Sequence, residues 1–384
     1  MAKRYTTRSM IDALIAIPTV SRDSNLDLIA FVQSYLADFG VDSHLVKNAD
    51  GTKASLYATV GPSIEGGVVL SGHTDVVPVD DQEWDTDPFT IVEKDGKLFG
   101  RGTCDMKSFY AIALALVPEM SNLKRPIHFA LSYDEEIGCL GAPDLIAKMC
   151  TALPRPAAVI VGEPTQMRVV NAHKSIFHFN TVITGHEAHS SQQHRGVSAV
   201  MVAGKLLTWL SEKQAQNAQS ADAQCPFNPP YTTLHCGMIE GGTAHNIMAH
   251  HCRFVTDIRS VPGDDALGYF AELEKYAREE LEPEMQAIHA DTRIEFDIHA
   301  HVPAFHSDDD EPAVELARQI SGQNAVESVA YGAEAGQFQQ AGYSVAMCGP
   351  GSIDQAHQPN EFITLEQVEK GTQFTRRLID YLSN

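Results

Sequence analysis

The stretch GGVVLSGHTD, residues 66–75, runs from the apolar residues Val68, Val69 and Leu70 straight into His73 and Asp75. A short apolar run bounded by glycine reads as a strand buried on both faces. IHFALSYDEE (127–136) and AAVIVGEPT (157–165) repeat the arrangement, ending in Asp134–Glu136 and in Glu163. The stretches RSMIDALIAI (8–17), LDLIAFVQSYLADFG (26–40) and MKSFYAIALAL (106–116) read as helices. This alternation predicts an α/β fold with a mostly parallel sheet flanked by helices. Ligands of open α/β sheets bind beyond the carboxyl ends of the strands, so acids and imidazoles are delivered to one edge.

From about Ile176 the pattern changes. FHFNTVITG (177–185), TTLHCGMIEGG (232–242), HHCRFVTDIRS (250–260) and RIEFDIHAHV (293–302) read as strands. VSAVMVAGKLLTWLSEKQ (197–214) and ALGYFAELEKYAREELEP (266–283) read as helices. The order β-α-β-β-α-β is that of a ferredoxin-like unit. EPAVELARQISG (311–322) then resumes helix and VAMCGPG (345–351) strand. A chain of 384 residues also exceeds what one hydrophobic core holds. The expected organisation is a discontinuous catalytic domain, 1–175 and 301–384, with an inserted domain, 176–300.

Composition narrows the function. A formal charge of −22 without a basic stripe argues against nucleic acid and anionic membrane as partners. No apolar run reaches the length of a membrane span, and the N-terminal segment, interrupted by Asp12 and Pro18, does not read as a signal peptide. A cytoplasmic location is expected. Seven cysteines at irregular spacing, with no C-x-x-C pair, suggest neither a disulfide framework nor a structural zinc knot.

Amide hydrolysis needs a strong nucleophile at neutral pH, and no G-x-S-x-G elbow supplies a serine. Water activated by a pair of metal ions is the natural substitute, held by imidazoles and carboxylates with one carboxylate shared. The chain has such residues, although each has an ordinary reading by itself. His73 and Asp75 fall on one face of an extended segment, but an isolated H-x-D is common at strand ends. Asp105, in GRGTCDMKS, could be a helix cap. Glu135 and Glu136 repel each other unless cations lie close, yet a short acidic run is often a solvated turn. Glu163 follows apolar residues, a poor place for an unpaired charge. His357 lies in a loop of turn formers.

In order along the chain, SGHTDVVP, GRGTCDMK, SYDEE, VGEPT and QAHQPNE resemble the motifs of the aminoacylase and glutamate-carboxypeptidase family of di-zinc amidohydrolases. The resemblance spans nearly the whole chain. It implies two Zn²⁺ ions, with Co²⁺ or Mn²⁺ able to substitute. His73 and Glu163 would hold one ion, Glu136 and His357 the other, and Asp105 both. Glu135 would be the general base and Asp75 would orient His73. The inserted unit would serve as dimerisation or lid domain of a homodimer, with His189 of GHEAHSS reaching a partner's site to stabilise an oxyanion. An exposed strand-end histidine is the plain alternative.

NAHKS, GGTAHNI, VTDIRSVPG and YGAEAG narrow the resemblance to members that deacylate N-acyl amino acids. Ser175 and Ala333 stand where relatives more often carry glycine and threonine. Asn246 and Arg259 resemble substrate-gripping lid residues, Arg259 being equally suited to a surface ion pair. Lys174 and Glu334 are candidate substrate contacts or structural ion pairs. An acetylated, a succinylated or a dipeptide substrate stays open, as does a catalytically inactive binding relative.

Overall fold

The computed structural model describes residues 3–384. They form two compact units: one takes the chain up to Ala172 with Phe305–Ser328 and Ala333–Asn384, the other His173–Ala304 with Val329–Gly332. The four-residue return was not legible in the sequence. It packs closely there, since a Cβ on Gly332 would sit 2.5 Å from Ile176 Cγ1.

The first unit is built on a nine-stranded sheet. Strand Val68–His73 lies at its centre, parallel to Ile127–Ser132 on one side and Ala158–Pro164 on the other, and Val345–Gly349 continues the parallel set. Ala54–Val60 and Ser43–Lys47 close one edge in antiparallel fashion. Every residue of the three central strands is buried, as expected of strands covered by helices on both faces. Leu70, Phe129 and Ile160 join Met10, Leu14, Tyr110, Leu114 and Leu378 of the helices in one core, each such side chain contributing about 1.5–3 kcal/mol on burial.

Register then aims the polar ends. His73 lies opposite Ser132, so the segment bearing Glu135 and Glu136 leaves the sheet beside the His73 ring. Glu163 is placed by two close approaches. A Cβ on Gly162 would fall 2.1 Å from the Phe109 ring, and one on Gly349 would fall 1.9 Å from the Gly162 carbonyl oxygen. Only glycine allows these strands and the helix Lys107–Ala115 to come so near.

The second unit carries a four-stranded antiparallel sheet in the order Thr233–Gly241, His251–Arg259, Ile176–Thr184, Arg293–Val302. Helices Ala199–Gln219 and Ala266–Tyr276 share a core with it through Phe177, Phe179, Phe254, Leu206, Leu210 and Leu273. Among the described residues, no helix is long and apolar enough to cross a membrane.

Candidate metal centre

Two groups of side chains in the first unit are close enough to hold a metal ion: His73, Asp105 and Glu163, and Asp105, Glu136 and His357. Within each, the candidate ligand atoms lie within 4.8 Å of one another. His73 Nε2 is 3.0 Å from Asp105 Oδ1, and His357 Nε2 is 3.3 Å from Asp105 Oδ2 and 2.9 Å from Glu136 Oε2. Asp105 therefore belongs to both groups, one oxygen facing each ring. It caps no helix, because Met106 occupies the N-cap position of Lys107–Ala115. The Asp105–Met106 peptide is cis.

Backbone and carboxylate contacts fix the set. His73 Nδ1 faces the Asp75 carbonyl oxygen at 2.9 Å. A carbonyl only accepts, so Nδ1 carries the proton and Nε2 is left as the ligand atom. The Asp75 carboxylate accepts from the Glu135 and Glu136 amides, at 3.1 and 3.3 Å, and from Ser21 Oγ at 2.7 Å. One residue thus orients the His73 ring through its carbonyl and the two glutamates through its side chain. Asp134 pairs with Lys53 at 2.5 Å, both largely buried, so D-E-E is not a solvated turn. Cys139 Sγ donates to Glu135 Oε1 at 3.3 Å.

Electrostatics test whether cations fit. Burial pushes Glu135 up to about 8, the charges of Glu136, Asp105 and Asp75 adding to it against the pull of His73. Burial and Asp105 push Glu136 up to about 7 and hold Glu163 well above the carboxylate range. For Asp105 burial works upward too, but hydrogen bonds from His357 and His73 overcome it and leave its carboxyl lowered. Burial would lower His73, yet bonds to Asp105 and Asp75 raise it well above the usual imidazole range. Hydrogen bonds to Asp105 and Glu136 raise His357 to about 11. Glu163 Oε1 is buried with no hydrogen-bond partner, a costly state for a carboxylate. Carboxylates crowded beyond what two imidazoles neutralise, one with an orphaned oxygen, suit a pair of divalent cations.

The other sequence candidates are placed differently. Glu334 is buried beneath the site, with Ser132 Oγ donating to Oε2 at 2.8 Å and Ser71 Oγ donating to Oε1. Each of its oxygens thus accepts from a serine hydroxyl. Lys174, also buried, donates from Nζ to the carbonyls of Pro229 and Tyr231 at 2.9 and 2.7 Å. Both expected substrate contacts are thus engaged by protein partners. Ser175 ties two segments of the second unit, its Oγ accepting from the Ser260 amide at 2.8 Å. Ala333 is fully buried in the first unit.

Within the second unit, His189 and Asn246 are exposed on adjoining segments, with the Ser190 amide donating to the Asn246 carbonyl at 3.0 Å. His189 Nδ1 meets Ser191 Oγ at 2.8 Å. Arg259 takes the ion-pair alternative, Nε donating to Asp257 Oδ1 at 2.9 Å. Sequence reasoning missed Ser21, Cys139 and Glu361, all of which touch the residues or loops that carry the centre. Cys139, four residues past Glu135, and Glu361, four residues past His357 at the end of QAHQPNE, left a positional hint.

Fold and centre together define a metal-dependent amidohydrolase. The chain belongs to peptidase family M20/M25/M40, whose profile matches residues 69–381. It is similar to the acetylornithine deacetylase of Pasteurella multocida, at 32% identity over 99% of this chain and 98% of that protein. The acetylornithine deacetylase of Photorhabdus laumondii is 35% identical over 97% of this chain and 96% of the relative. Among solved structures, an M20 family metallo-carboxypeptidase from Sulfolobus solfataricus superposes with a TM-score of 0.79 at 17% identity, covering 99% of each chain.

Proposed function

We propose that the chain removes the acetyl group of N²-acetyl-L-ornithine, giving L-ornithine and acetate for arginine biosynthesis. The substrate reading is supported by the names of the relatives at 32–35% identity. The observation that carries the chemistry is the single carboxylate of Asp105, facing His73 on one side and His357 on the other. His73 and Glu163 would hold one ion, Glu136 and His357 the second, and Asp105 both. Zinc is the expected metal, and cobalt or manganese suits the same donors. Bound there, the ions supply Lewis acidity to the acyl carbonyl and to the attacking water.

The remaining work falls to side chains. Glu135, left out of both ligand groups, takes the proton of the attacking water and returns it to the departing amine nitrogen. Asp75 keeps His73 and the Glu135–Glu136 segment in place through the contacts already given. His189 of a partner subunit donates to the oxyanion, so the working form in this reading is a homodimer. Asn246 and Arg259 contribute to substrate binding, Arg259 after exchanging Asp257 for a substrate carboxylate.

The test is a panel of acetylornithine, succinyl-diaminopimelate and dipeptides, offered to the metal-loaded protein with kcat/KM compared. Acetylornithine should lead by about tenfold or more, a discrimination of about 1.4 kcal/mol in transition-state binding. A succinylated or dipeptide substrate leading instead overturns the assignment and leaves the hydrolytic chemistry standing.

A further inference from the structure

The loop Gly100–Asp105 brings a shared ligand into the centre, and it is bent around a carboxylate outside the ligand set. Glu361 Oε1 accepts from the amides of Cys104 and Asp105, at 2.8 and 3.1 Å. Its Oε2 accepts from the Gly102 amide at 3.1 Å and from Arg101 Nη1 at 2.7 Å. The Glu361 carbonyl takes the Gly100 amide at 2.9 Å. Arg101 and Glu361 are each only 1% exposed. Gly102 makes the bend possible, with φ +83° and a Cβ position 2.8 Å from Val76.

The same contacts run on to the other histidine. Arg101 Nη2 donates to Gln82 Oε1 at 2.6 Å, and Gln82 Nε2 donates to the His357 carbonyl at 3.0 Å. Arg101 Nη1 also reaches the Gln358 carbonyl at 3.3 Å. A buried arginine–glutamate pair is by itself weak evidence for stability. Here it spends its hydrogen bonds on the backbones of the two loops that present Asp105 and His357.

We infer that Glu361 is a positioning residue for the metal centre, setting the Asp105 loop directly and the His357 loop through Arg101 and Gln82. The inference rests on reading the site as a metal centre. Partners that orient first ligands in this way change metal affinity by about 10–100-fold when removed.

The test uses the full chain, stripped of metal and titrated with Co²⁺ against a competing chelator, for the wild type, Glu361→Gln and Gln82→Ala. Glu361→Gln should keep the far-UV circular dichroism of the metal-free wild type at a lower melting temperature, because buried Arg101 loses its counter-charge. It should bind Co²⁺ about 10–100-fold more weakly, with a changed visible absorption spectrum. Gln82→Ala, at a half-buried rim position, should weaken only one of the two equivalents. Unchanged affinity and spectrum in a folded Glu361→Gln overturn the inference. So does loss of the metal-free fold in both variants, since the network would then hold the chain together rather than set ligands. A wild type that binds no Co²⁺ would sink the metal-centre reading itself, and this inference with it.

Discussion

His73 and His357 both face the Asp105 carboxylate, yet they are held in opposite ways. His73 ends a fully buried strand and is 1% exposed, and the third member of its group, Glu163, is buried at the next strand end. His357 sits in a loop with φ +64° and its side chain is 53% exposed. His73 and Glu163 are fixed by two strands flanked by core side chains, whereas His357 depends on the hydrogen bonds of its loop, and the shared Asp105 and Glu136 also stand on loops. An enclosed group has little freedom to relax when it loses an ion, while an open one exchanges with solvent. The two halves of the centre should therefore differ in how tightly they hold metal.

The largest expected effect isolates chemistry from both halves. Glu135→Gln should lower kcat by about 10²–10⁴-fold while elemental analysis still finds about two metals per chain. Substantial turnover in that variant would remove Glu135 from its role as base, and loss of metal would move it into one of the halves.

Chelation sharpens the contrast itself. With increasing chelator, one equivalent should leave well before the second, and His357→Ala should retain roughly one ion per chain. Simultaneous loss of both ions, or retention of two by His357→Ala, would erase the difference between strand-held and loop-held ligands.

The smallest effect appears in the metal-stripped protein as a function of pH. Glu135 and Glu136 bind protons more tightly folded than unfolded, so their contribution is full below about 4.5 and declines as pH rises toward about 7 and 8. His357, also raised, acts in the same direction, its contribution lost between about 6.5 and about 11. Melting temperature should fall by roughly a few degrees from pH 5 to pH 8 and recover when metal is added. A rise over that window, or a fall that metal leaves untouched, would mean that carboxylate crowding at the centre does not limit stability.

Much of this was legible in the sequence, and unevenly so. Buried strands announce themselves as apolar runs, and the residue after each run must emerge at the sheet edge, which is why His73 and Glu163 could be read. Glu334 and Lys174 stayed open in the sequence, because a charged residue beside a recognisable motif looks the same there whether it is free for a substrate or already holds protein partners. Ser71 and Ser132, which occupy Glu334, come from two different strands. Glu361 was missed for a related reason: its donors are backbone amides of a distant loop, and an amide carries no residue identity.

The sequence by itself determined the α/β class, the β-α-β-β-α-β insertion and which side chains have metal-binding chemistry, because periodicity and residue type are local properties. Tertiary structure alone decided that Asp105 faces two rings instead of capping a helix, that Asp75 pins both glutamates, and that Glu361 ties one ligand loop to the other. Those facts depend on which distant segments meet, and strand register with glycine-permitted close approach settles that only once the chain has folded.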